Sequence, residues 1–265
     1  MAFSMMSHAL RMLWANLGNA ARVSVVPIIL MYVVLGVVGG GAFMLAGGPE
    51  AFDSFDQTGQ LSGGGGALLF FAIFGLFFIA MAFFAWVAIS WHRFILLEEY
   101  PQGWLPPFRW TEIKGYVWKL ILLSLVFMVI AFIPMFVIGI MAGVAGEGGS
   151  ALAGVLLVAV VVVLIPAFLW ISFRLSSVLP ATAIEKPMGL GEAWRATQSH
   201  SGTIFWFGLV YVGVSLVIQL ALGLLGLIPV LGIVATIFGS WFTTILGFSA
   251  LTTVYGVAVE GRELT

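Results

Sequence analysis

From Ser201 to Val259 the chain runs for 59 residues without Asp, Glu, Lys, Arg or His. As a single helix this stretch would be roughly 88 Å long, about three times the thickness of bilayer hydrocarbon. It must fold back once. Gly226-Leu227-Ile228-Pro229-Val230-Leu231-Gly232 is the place, because proline cannot continue a helix and the flanking glycines tolerate unusual dihedrals. Four further stretches free of ionisable groups precede it: Val23 to Pro49, Gln57 to Trp91, Leu120 to Gly146 and Gly148 to Phe173. Each exceeds the ~20 apolar residues that one crossing needs. The sequence therefore predicts six spans, near 23–46, 67–91, 117–142, 151–173, 203–227 and 232–257. Only 8% of the residues are charged and 62% are apolar, whereas a water-soluble surface needs roughly 25–35% charged residues. The expected class is an all-α integral membrane protein, residues 1–265 forming one polytopic domain.

Six spans place the N-terminus, residues 92–116 and 174–202, and the C-terminus on one side. Nine of the ten basic residues fall there, Arg11, Arg22, Arg93, Arg109, Lys114, Arg174, Lys186, Arg195 and Arg262, and the tenth, Lys119, stands in the adjoining first turn of the third span on the same side. The opposite segments carry only Glu50, Asp53, Asp56 and Glu147. Short loops rich in Lys and Arg stay cytoplasmic, so both termini are expected inside. The apolar run after Arg22 is too long for a signal-peptide core, and no A-x-A pattern follows it before the acidic loop.

Each odd span is preceded by a segment that reads as an interfacial amphipathic helix. In the first, Met6, Leu10, Leu13, Trp14 and Leu17 share a face. The second offers Trp110, Ile113 and Val117 after Pro106-Pro107, and the third Leu190, Ala193, Trp194 and Thr197. The even spans end alike, in Ile89-Ser90-Trp91-His92-Arg93 and Ile171-Ser172-Phe173-Arg174. This pattern suggests a threefold internal repeat, an interfacial helix followed by an outward and an inward span. Gly36 with Gly40, and Gly139 with Gly143, have the small-xxx-small spacing of close helix contacts, within the bundle or with a partner.

Enzyme signatures are missing: there is no His-Glu-x-x-His, no Gly-x-Ser-x-Gly and no phosphate loop ending in Gly-Lys-Ser or Gly-Lys-Thr. With no Cys, and with His8, His92 and His200 lacking i, i+4 partners, neither metal nor cofactor is expected. A formal charge of −1 argues against a nucleic-acid partner. Attention falls on the basic rim, where His92, Arg93, Arg174, Trp194 and Arg195 could bind lipid headgroups or a protein partner. No ionisable residue lies near a span centre. The groups available for transport are Gln219, expected to hydrogen-bond between helices, and the kinks at Pro134 and Pro166.

Two segments, Trp91-His92-Arg93-Phe94-Ile95-Leu96-Leu97-Glu98-Glu99 and Arg174-Leu175 through Leu179-Pro180-Ala181 followed by Ala193-Trp194 and Thr197, resemble bacterial membrane proteins related to the glycerophosphoryl diester phosphodiesterase membrane-domain family. In that family the membrane domain can be attached to a separate catalytic domain. This chain has no room for one, so the resemblance implies an inner-membrane protein and no hydrolase activity.

The sequence thus supports a non-enzymatic protein that binds membrane lipids or a membrane partner, including a second copy, through its cytoplasmic rim. The alternative is a channel or transporter for a neutral or amphipathic solute or lipid. A third reading, an enzyme acting on headgroups, rests on His92, Glu98, Glu99 and His200 as acid and base groups.

Overall fold

The computed structural model describes residues 1–50, 64–145 and 151–264. Asp53, Asp56 and Glu147 lie outside the described residues. The described chain is helical without strands: α1 (Ala2–Ala15), α2 (Leu17–Leu45), α3 (Gly65–Leu97), α4 (Trp110–Ala145), α5 (Ala151–Leu175), α6 (Val178–Ala183), α7 (Leu190–Ala196), α8 (Ser201–Leu225) and α9 (Pro229–Ala258). Six helical segments are long and apolar enough to cross a membrane, and they make this a multi-pass membrane protein. Several begin or end in the flanking polar residues. Thus α3 continues through His92 and Arg93 to Leu97, and α4 starts at Trp110. Absence of charge marks hydrocarbon depth, whereas backbone hydrogen bonding carries a helix on into the interface.

The spans pair as α2 with α3, α4 with α5, and α8 with α9, and the pairs join through α3–α4, α3–α9 and α5–α8. Their fully buried side chains gather toward the end that carries the basic residues, in Ala85 to Phe94, Val178 to Ile184, and Ile245 to Val257. Farther along, Phe70, Phe74, Met128, Val158, Leu216 and Ile237 are exposed, as hydrocarbon-facing side chains must be. Lipid tails are as apolar as leucine, so packing and polar contacts must hold the helices together. Tryptophans supply many of the polar contacts. The indole N–H of Trp91 donates to Ser249 Oγ (3.1 Å), that of Trp241 to Ser24 Oγ (2.8 Å), and that of Trp170 to Ser201 Oγ (3.1 Å).

Helix α1 packs against α8 and α9, burying Met5, Met6, Ala9 and Leu13. Trp14, read from the sequence as part of that face, is instead 67% exposed beside Phe242. The second interfacial segment has no helix of its own, because residues 110–117 are the first turns of α4. The third becomes the seven-residue α7. Between α5 and α7 the chain turns under the bundle as α6, whose six residues are all buried against α3, α4 and α9. Cβ atoms added at Gly36, Gly40, Gly139 or Gly143 would meet nothing within 4 Å, so these small-residue pairs are not helix contacts among the described residues.

The turn between α8 and α9 spans Gly226 to Ile228, with Pro229 opening α9. A Cβ at Gly232 would lie 2.9 Å from both Cα and O of Gly226. Gly232→Ala is therefore expected to cost about 1–3 kcal/mol by overpacking, read as a lowered unfolding midpoint. Gly36→Ala, in open space, should leave that midpoint unchanged. Equal midpoints for the two variants would contradict the close crossing.

Candidate functional site: the basic rim and its cavity

The rim is built where the ends of α3, α5 and α9 and the starts of α1, α4 and α8 converge around α6 and α7. His92, on α3, is fully buried. Its Nδ1 lies 2.7 Å from Thr252 Oγ1 on α9 and its Nε2 3.3 Å from the Tyr116 hydroxyl on α4. Thr252 donates its only hydroxyl proton to the Phe248 carbonyl (2.7 Å). Its oxygen therefore accepts from His92 Nδ1–H, leaving Nε2 to accept from Tyr116. The imidazole is a three-helix junction with both nitrogens in use.

Arg93 is 6% exposed. Its guanidinium takes Glu99 in a two-pronged grip, with Nε donating to Oε2 at 2.9 Å, and also donates to Glu185 Oε1 (2.7 Å) and the Ala183 carbonyl (3.0 Å). Arg109 adds a bond to Glu99 at 3.0 Å. The hydrogen bond from Arg93 holds the Glu99 carboxyl below its ordinary range, against the opposing effect of partial burial. Glu98 and Glu185 turn the chain at the ends of α3 and α6 with φ of 54° and 61°. This left-handed backbone normally costs a non-glycine residue roughly 1–2 kcal/mol. The turns bring the carboxylates of Glu99 and Glu185 onto Arg93.

Arg174 is 3% exposed and bonds to no carboxylate among the described residues. Its guanidinium lies over the Trp194 ring, 3.5 Å from the centroid, and 5.2 Å from the centroid of Trp170, which itself meets Trp194 edge to face. It donates to Thr197 Oγ1 (3.0 Å) and to the Trp194 carbonyl. Arg174 thus fastens α7 to the end of α5.

The five rim residues singled out in the sequence therefore do not form one open site. His92, Arg93 and Arg174 are turned inward and engaged, Trp194 covers Arg174 while remaining 36% exposed, and Arg195 is exposed. Among the transport candidates, Gln219 is exposed on α8 and makes no hydrogen bond among the described residues, contrary to its expected interhelical role. Pro166 lies inside α5, half-buried. Pro134 falls within the span of α4, and its side chain lies outside the described residues. Among the described residues no His, Asp and Glu cluster could hold a metal ion.

The sequence did not reveal a cavity of about 380 Å³ between α1, the ends of α3 and α9, and the C-terminal segment. Met12, Ile95, Leu96, Val257 and Leu264 provide apolar walls, and His8, Arg11, Arg262 and Glu263 supply ionisable groups. Gly261, with φ of 66°, turns the final segment back. Arg262 then donates to the Leu96 carbonyl (2.8 Å) and to Glu260 (2.7 Å), while Leu264 packs on the core. Arg11 is exposed and forms no ion pair among the described residues. The size is that of a small-ligand site, about 300–1,000 Å³.

No family model matches this chain, and neither does any curated protein or solved structure. The geometry of the rim is what bears on function.

Proposed function

We propose that this protein is a non-enzymatic component of a bacterial inner membrane, with both termini cytoplasmic, that holds a phospholipid headgroup in the rim cavity between α1 and α9. The observation that carries this reading is the cavity itself. It combines an arginine that forms no ion pair among the described residues with apolar walls, next to a helix whose outer face bears exposed Phe3 and Trp14. Aromatic side chains of this kind settle at headgroup level, and a helix with such a face lies along the interface. The cytoplasmic orientation is supported by the ten basic residues on one side and none on the other.

Arg93, Arg174 and His92 hold the rim together and leave ligand contact to the cavity. On this reading the segments that resemble the glycerophosphoryl diester phosphodiesterase membrane-domain family are a signature of the fold rather than of an activity.

Ala15→Trp tests the proposal. Ala15 is exposed and lines the cavity, so an indole there fills the site without entering the core. Wild-type protein should retain bound phospholipid in native mass spectra, and Ala15→Trp should lose it with the fold intact. Undiminished lipid on the variant would remove the cavity from consideration.

A further inference from the structure

The ionisable groups that line the cavity are His8, Arg11, Arg262 and Glu263. Arg262 is paired with Glu260 at 2.7 Å, a carboxylate that also takes Lys186 at 3.2 Å. Arg11 and Glu263 remain, both exposed, both lining the same cavity, and neither in an ion pair among the described residues. A site for a purely anionic headgroup would present cations without an adjacent free carboxylate, because that carboxylate would repel the ligand. One unpaired cation and one unpaired anion on a single small cavity match a ligand that carries both signs.

Building on the headgroup reading above, we propose that the cavity selects a zwitterionic aminophospholipid, with the phosphate on Arg11 and the primary ammonium on Glu263. Arginine suits the phosphate because its planar fork can bond two oxygens at once. The ammonium carries N–H donors for a carboxylate, which a quaternary trimethylammonium lacks. Thr253 adds a polar group to the cavity lining. Its hydroxyl proton goes to the Ser249 carbonyl (2.8 Å), which leaves its oxygen as an acceptor, whereas the oxygen of Thr252 already accepts from His92. Met12, Ile95, Val257 and Leu264 give the glycerol and upper acyl segments an apolar wall, which a free headgroup would not use.

The test compares thermal stabilisation and lipid retention of the full chain in detergent with dioleoyl phosphatidylethanolamine, phosphatidylglycerol and phosphatidylcholine, and with free phosphoethanolamine. Phosphatidylethanolamine should bind about tenfold more tightly than the other two lipids, the worth of one charge-assisted hydrogen bond. Free phosphoethanolamine should give no stabilisation. Glu263→Gln should erase the preference for phosphatidylethanolamine over phosphatidylglycerol, whereas Arg11→Gln should weaken both. Equal or stronger binding of phosphatidylglycerol by wild type, or a preference that survives Glu263→Gln, would overturn the assignment. So would stabilisation by free phosphoethanolamine equal to that by the lipid. If Ala15→Trp still abolishes lipid retention, only the selectivity is lost. If it does not, the headgroup reading falls as well.

Discussion

Arg93→Ala is expected to destabilise the protein by about 2–3 kcal/mol, lowering the unfolding midpoint by about 5–10 °C. Removing one partner of a fully buried ion pair costs about 3–5 kcal/mol. The Glu99 and Glu185 side chains are 38% and 60% exposed, so water takes up part of the loss. What remains is the orphaned Ala183 carbonyl and the loss of the link between α3 and α6. Glu185→Gln should cost less, because the Glu99 grip survives. The same network predicts an acid response. Arg93 lowers the Glu99 pKa in the folded state, so its stabilisation is complete above the unfolded carboxylate value of about 4.3 and fades as pH falls through the lower folded value. Glu99→Gln should remove this part of the acid sensitivity. Unfolding midpoints measured from pH 7 down to pH 3 would decide it, and identical pH profiles for wild type and Glu99→Gln would reject the coupling.

The architecture was legible because hydrocarbon tolerates so few sequences. Stretches free of ionisable groups identify the helices, and Pro229 with its flanking glycines identifies the last turn before any contact is known. The rim was much less legible. An arginine at the end of an inward span satisfies the rule for a topology anchor whether it points to water or to the core. What turns Arg93 inward is Glu185, 92 residues away, and what seats His92 is Thr252, 160 residues away. Helix α6 is too short to show a periodicity, and the left-handed turns at Glu98 and Glu185 carry no glycine to announce them. Two local cues did exist. Trp170 stands one helical turn before Arg174, the spacing of a stacked pair, and Glu99 follows Arg93 closely enough for the chain to turn back on itself. The cavity left no such cue, since it draws its walls from α1, α3, α9 and the final segment.

Arg174 carries the second large prediction. Its partners are two indole faces, a threonine hydroxyl and a peptide carbonyl, so the test here concerns shape as much as charge. Arg174→Ala removes the cation packed on the Trp194 ring beside Trp170, leaves the Trp194 carbonyl with only the long contact from the Thr197 hydroxyl (3.3 Å) and releases α7 from α5. Hydrogen bonds from a charged donor contribute about 1.5–3 kcal/mol each, and a desolvated cation–π contact about 2. These terms overlap, and about 3 kcal/mol is the expected loss. Arg174→Lys is the more informative variant. It keeps the charge but not the planar fork that packs on the Trp194 ring while donating at its edge. If the site requires that plane, Lys should recover less than half of the stability lost in Arg174→Ala, and Trp194 fluorescence should shift toward that of a solvated indole in both variants. Full recovery by Lys would mean that the cation serves as a charge at the helix end, and that the contact with Trp194 adds nothing of its own.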